Sequence, residues 1–270
     1  MKKFAYILCF KWNIDLLERI LKNYRHMKTH KLFTFCLILL LSPNMIYAQQ
    51  SSENDVFETD KGKLELFFVG HGTLMFKYND MIIHIDPVSR EADYSFAPDA
   101  DLILITHEHG DHLDPAAIGK ILKSDTRIIC NKASAAALDN CEIISNGEKI
   151  EHRGILIEAV PAYNIVHERS PGNPFHPKGN GNGYILHMGG KNIYVAGDTE
   201  NIPEMKELGN IDIAFLPMNL PYTMSPEMAA DAAQMIRPDI LYPYHFGSSD
   251  TGELVKLLEG EGIDVRIRDF

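Results

Sequence analysis

This chain has little basic excess, few cysteines and no long apolar run. Lys and Arg number 26 against 37 Asp and Glu, a formal net charge of −11. The first 48 residues carry eight basic and two acidic side chains, so the remaining residues are more acidic still, at −17. An acidic body offers no basic face to a phosphate backbone, so nucleic acid is not an expected partner. Four cysteines in 270 residues do not make a disulfide framework. The apolar run at 34–41 is too short for a bilayer span of about 20 residues. No internal repeat or low-complexity segment appears.

That short run has a different use. Lys28, His30 and Lys31 precede it, and it leads to Tyr47-Ala48 and then a polar stretch from Gln49. A basic flank, a short apolar centre and a small residue before a polar segment describe a secretory signal peptide. Residues 27–48 are expected to be that signal, with Met27 the true start. Residues 1–26 then read as a mis-annotated extension; the alternative is an amphipathic extension with Ile7, Phe10, Ile14, Leu17 and Leu21 at helical spacing. Cys36 is preceded by Thr34-Phe35, which are not the small residues of a lipoprotein site. The expected mature protein starts near Gln49, is exported to the periplasm or the exterior, and keeps no membrane span. Residues 49–62 read as a short linker and 63–270 as one domain.

Cys130 and Cys141 are the cysteines of that mature chain. Export makes a disulfide conceivable. Residues 126–130 and 141–145 read as neighbouring parallel strands joined by a helix at 133–138. A full strand length would then part the cysteines by about 13–17 Å at ~3.3 Å per residue, beyond the ~7 Å limit for a bridge. Free thiols are expected.

What the chain has is histidine in one place. Leu102 to Ile105 is an apolar run that reads as a buried strand. It breaks into a loop holding His107, His109, Asp111 and His112 around Gly110. Imidazole and carboxylate are the usual nitrogen and oxygen donors for zinc and its neighbours. The alternation of His107 and His109 turns both rings one way on extended backbone. Asp111 and His112 face a second point beyond the turn, which suggests two adjacent metals. Asp114 reads as the N-cap and Pro115 as the first turn of a helix running to Leu122.

His-x-His-x-Asp-His after a buried strand resembles the metallo-β-lactamase superfamily. The resemblance implies an α/β fold, a four-layer αββα sandwich with a dinuclear site at one sheet edge, over residues 63–268. Strands at 64–69, 74–78 and 81–85, then strand and helix alternation to the C-terminus, suit it. The resemblance further implies that Asp198, in Gly197-Asp198-Thr199, bridges both metals. It also implies that His245, after the strand at 240–244, completes the second site. Gly70-His71-Gly72-Thr73 resembles a segment lying near the metals in the branch that includes ascorbate-6-phosphate lactonases and metal-dependent hydrolases, and marks His71 as a catalytic candidate. Where the superfamily places a third histidine for the first metal, this chain has Asn164. The loop from Pro161-Ala-Tyr-Asn164 through Phe175-His176-Pro177-Lys178 resembles one subgroup of these hydrolases. His176 is therefore the first choice for that ligand, Asn164 the second and His167 the third.

The expected cofactor is two divalent ions, zinc first, with manganese or iron as alternatives. They would lower the pKa of a water held between them and polarise a substrate oxygen. Asp111 would orient that water and take a proton. Asn164, Lys178 and Tyr222 are candidate substrate contacts, Lys178 for an anionic group. The expected activity is hydrolysis of an ester, lactone, amide or phosphoester of a small-molecule substrate. A di-iron oxidoreductase of the same fold and a non-catalytic metal-binding protein are the alternatives. His84, His152 and His187 lie in strand-like stretches without ligand partners and read as structural.

Overall fold

The computed structural model describes residues 54–270. The expected extension at 1–26 and signal at 27–48 lie outside them. Seven strands build the first sheet in chain order: β1 (Asn54–Thr59), β2 (Gly62–Gly70), β3 (Thr73–Tyr78), β4 (Met81–Ile85), β5 (Leu102–Ile105), β6 (Arg127–Cys130) and β7 (Cys141–Ile143). β1 to β4 form an antiparallel meander, and β4 to β7 run parallel. Helix α1 (Pro115–Ile121) lies between β5 and β6, capped by Asp114, whose side chain accepts from the Ala116 and Ala117 amides.

The second half repeats the scheme. β8 (Lys149–His152) and β9 (Ile155–Ala162) are followed by a small hairpin, β10 (Glu168–Ser170) and β11 (Asn173–Pro174). Next come β12 (Gly181–Met188), β13 (Lys191–Val195), β14 (Ile213–Pro217), helix α2 (Pro226–Ile236), β15 (Ile240–Tyr244), helix α3 (Thr251–Leu257) and β16 (Asp264–Val265). The second sheet has the order β16-β15-β14-β13-β12-β9-β8.

The apolar runs of the central strands have a layer explanation. Leu102 and Leu104 of β5 point between the sheets, where they join Phe76, Ile83, Leu186 and Phe215. Ile103 and Ile105 point outward and pack under Ala117, Ile118 and Ile121 of α1. In β14, Ile213 and Phe215 face the inter-sheet core. Ala214 and Leu216 lie under Ala229, Ala232 and Ala233 of α2. Strands covered on both faces cannot alternate polar with apolar. The result is the expected four-layer αββα sandwich.

Two expectations are corrected. Within the stretch expected as a linker, residues 54–59 form β1, paired along its whole length with β2. Asp55 fastens it to the far sheet, accepting from the Tyr242 hydroxyl, from Arg266 at 3.1 Å and from Arg268 at 2.8 Å. Cys130 and Cys141 are disulfide-bonded, with Cα atoms 6.3 Å apart. β7 is only three residues long and opens opposite Ile128, so the cysteines are offset by two residues on adjacent strands and not by a full strand. The expected helix between them is a short 3-10 turn, Ser134–Ala137.

Candidate metal centre

Strand ends converge at one edge of the sandwich. β4 delivers Asp86, β5 the His107–His112 loop, β9 Asn164, β13 Asp198 and β15 His245, while the β2–β3 turn supplies His71. The local sequence fits this crowding. A Cβ at Gly72 would sit 2.6 Å from the His112 ring. Gly197, at φ +65°, would meet the Asn182 carbonyl at 2.9 Å. Both positions need glycine so that histidine and carboxylate can approach.

Two donor clusters form. In the first, His109 Nδ1 lies 3.1 Å from His107 Nε2 and 3.2 Å from His176 Nε2. In the second, His112, Asp111 and His245 gather with His71: His71 Nε2 is 3.4 Å and His245 Nε2 3.8 Å from Asp111 Oδ2. Asp198 stands between the clusters. Its Oδ1 is 3.3 Å from His112 Nε2, and its Oδ2 is 3.3 Å from His176 Nε2 and 3.5 Å from His245 Nε2.

The donors fit divalent ions. Tetrahedral bonds of 2.0–2.1 Å part the donor atoms by about 3.3–3.4 Å, close to the separations in the first cluster. In the second, His112 Nε2, His245 Nε2 and Asp198 Oδ1 are buried with no hydrogen-bond partner among the described residues. Buried polar atoms are rarely left so, and a cation shared among them satisfies all three.

The outer partners set each ring. Asp86 Oδ2 accepts from His112 Nδ1 at 2.8 Å and from the Thr106 hydroxyl at 2.5 Å. That hydroxyl in turn accepts from His107 Nδ1 at 3.0 Å. One buried carboxylate thus fixes two rings with Nε2 lone pairs facing inward. Asn164 does the same for His176: its Oδ1 accepts from His176 Nδ1 at 2.7 Å and from the His176 amide at 2.8 Å. Its Nδ2 donates to Glu200 Oε1 at 3.0 Å and to the Tyr222 carbonyl at 2.9 Å. Glu200 also accepts from the amides of residues 165, 166 and 167 and from His167 Nδ1.

Charge follows from this packing. Burial and the neighbouring imidazoles hold His107 well below its ordinary pKa. Burial pushes His112 down too, but Asp198 and Asp86 outweigh it and raise the ring to about 9. His245 and His71 hold the Asp111 carboxyl well below the usual range, against its partial burial.

The structure brings His71, His107, His109, Asp111, His112, His176, Asp198 and His245 together. His167 is not among them; its ring is spent on Glu200. Two expected substrate contacts are corrected. All four hydrogen-bonding positions of Asn164 are occupied, so it positions His176 and has nothing left for a substrate. Lys178 bonds Glu204 at 2.7 Å and the Tyr163 hydroxyl at 3.1 Å, which removes it as an anion clamp. Tyr222 is half exposed beside Phe175. Asp86 is a site residue that the sequence reading does not single out. The pairing of Ile85 with Leu104 brings the Asp86 side chain within reach of the Thr106 amide and hydroxyl, which only the strand register reveals. Glu200 had no local signal. A cavity of about 310 Å³ opens beside His71, lined also by Arg90, Glu91, Phe246, Gly247 and Phe270.

The family model for the β-lactamase superfamily domain matches residues 65–245. A UPF0173 metal-dependent hydrolase of Thermococcus kodakarensis is 35% identical over 217 residues, 74% of this chain and 94% of its own length. Among solved structures, a candidate metal-dependent hydrolase of Parabacteroides distasonis is 51% identical with a TM-score of 0.78, covering 81% of this chain and 99% of its own. Igni18, a metallo hydrolase of Ignicoccus hospitalis, shares the fold at 23% identity and TM-score 0.61, covering 76% of this chain and 95% of its own. With its strand order, its histidine loop and these relatives in agreement, the chain belongs to the β-lactamase superfamily and is a metal-dependent hydrolase of that fold.

Proposed function

We propose that this chain is an exported hydrolase working with two divalent ions, zinc by the nature of the donors, on an ester, lactone, amide or phosphoester. The observation that carries the number two is Asp198, a buried carboxylate whose oxygens lie within 3.3–3.5 Å of imidazole nitrogens of both clusters. His107, His109 and His176 would hold one ion, Asp111, His112 and His245 the other. Bound ions of this kind lower the pKa of water and polarise a substrate oxygen. Asp111 and His71 face each other on the open side of the second cluster, where a carboxylate can accept a proton from an attacking water and an imidazole can carry it away. The cavity beside His71 gives a substrate its approach. Export rests on the pattern at 27–48, and the Cys130–Cys141 bridge suits an oxidising compartment.

Metal content of protein purified without added zinc should be two ions per chain. A panel of esters, lactones, amides and phosphodiesters, run with and without chelator, should show hydrolysis that disappears on chelation. One ion, or activity indifferent to chelation, rejects the reading. N-terminal sequencing of native protein should begin near Gln49; a cytoplasmic form starting at Met1 rejects export.

A further inference from the structure

Asn164 and His176 pin the base of a flap. The Asn164 amide donates to the His176 carbonyl at 2.9 Å, and the residues between them form the β10–β11 hairpin. Arg169 lies in β10, on this hairpin. Its guanidinium carbon is 5.1 Å from the centre of the Phe175 ring, and its Nη2 is 3.2 Å from His109 Nε2.

Among the described residues this guanidinium has no carboxylate partner, only the His109 ring. Arg90, Arg127, Arg153, Arg266 and Arg268 each pair with a carboxylate. Among the described arginines only Arg169 and Arg237 do not, and Arg237 ends α2 in a left-handed turn. The nearest acid in sequence, Glu168, is spent on the Gly172 amide at 2.8 Å. With an ion on its Nδ1, as proposed above, His109 would carry its proton on Nε2 and could not accept from Arg169. Arg169 and His109 therefore present hydrogen-bond donors to the same point. Arg169 is exposed at the rim of the cluster, so both donors are open to an anion arriving from solvent.

We propose that Arg169 recognises an anionic group of the substrate, a carboxylate or a phosphate, that accepts from its guanidinium and from His109 Nε2 on the His107/His109/His176 side of the centre. The flap carries the residue, Phe175 holds it in place, and the planar donor fork suits either anion. This rests on the hydrolase reading above and narrows its substrate to a molecule charged near the bond that is cut.

Calorimetric titration of the purified, metal-assayed protein with phenyl phosphate, benzoate and neutral benzamide tests it. The wild type should bind at least one of the two anions better than benzamide, and the preferred anion tells phosphate from carboxylate. Arg169→Gln should weaken that binding about 10- to 100-fold, leave benzamide unchanged and keep the metal content. Arg169→Lys should recover part of the loss. Three outcomes overturn the proposal: a wild type that binds neither anion at millimolar concentration, an Arg169→Gln protein that binds them equally well, or one that loses metal, which would make Arg169 a support for His109. Metal content of the same sample separates the two readings: a wild type that holds metal but binds neither anion overturns this proposal alone, whereas a wild type without metal overturns the dinuclear reading and the His109 tautomer on which this proposal stands.

Discussion

Replacing Asn164 by alanine, with His176→Ala as its partner, tests the first cluster most directly. His176 contributes one of three imidazole nitrogens there, and its removal would leave His107, His109 and an oxygen of Asp198, one donor short of the four that the proposed zinc takes. His176→Ala should lose about one ion per chain. Asn164→Ala keeps every donor atom and removes what orients one of them. Outer-shell losses of this kind cost about 10- to 100-fold in metal affinity, or about 1.4–2.8 kcal/mol at 1.4 kcal/mol per decade. The variant also strands the Tyr222 carbonyl and one partner of Glu200. Each buried group that finds no water costs about 1–3 kcal/mol, so the thermal midpoint should fall even in chelator. The assay is metal content by plasma emission spectrometry, followed by competition against a chromophoric chelator. Two tightly bound ions in His176→Ala would refute the ligand assignment. Unchanged affinity in Asn164→Ala would refute the positioning role.

Other outcomes follow from the same coordinates. Thiol titration of unfolded, unreduced protein from Gln49 onward should find none, and two after reduction; two before reduction would restore the free-thiol expectation. Burial, only partly offset by a 3.1 Å contact with the Pro98 carbonyl, pushes His84 down to about 4. Its folded pKa lies below the ordinary value near 6.5, so its contribution to stability is full above about pH 6.5 and is lost as pH falls toward 4. His84→Gln should remove a loss on the order of 3 kcal/mol over that window, read as urea midpoints at pH 7 and pH 4.5; an unchanged pH slope would count against it. Asp55→Ala leaves Arg266, Arg268 and the Tyr242 hydroxyl without their shared acceptor. Arg266 keeps Asp264 and the arginines are partly solvated, so the variant should destabilise by about 1–3 kcal/mol and expose β1 to protease, whereas an unaltered melting curve would show β1 to be dispensable.

The sequence alone determined the local chemistry. Four strong donors after Leu102–Ile105 cannot be core or helix surface, so His107, His109, Asp111 and His112 were legible from spacing. Asp114 and Pro115 announced α1 for a similar reason, since cap chemistry is a matter of a few adjacent residues. Asp198 and His245 became visible through the family resemblance, each directly after a buried strand. The tertiary structure decided everything that depends on chain segments far apart in sequence. His176, Asn164 and His167 lie in one loop and differ little as text; Glu200, more than thirty residues on, takes His167 and Asn164 and leaves His176 for the cluster. Lys178 reads as an anion clamp until Glu204 is brought to it. The Cys130–Cys141 bridge turned on a two-residue register between β6 and β7. Donor identity is carried by single residues, but partnership is carried by register and crossover, which hydrophobic pattern does not encode to the residue.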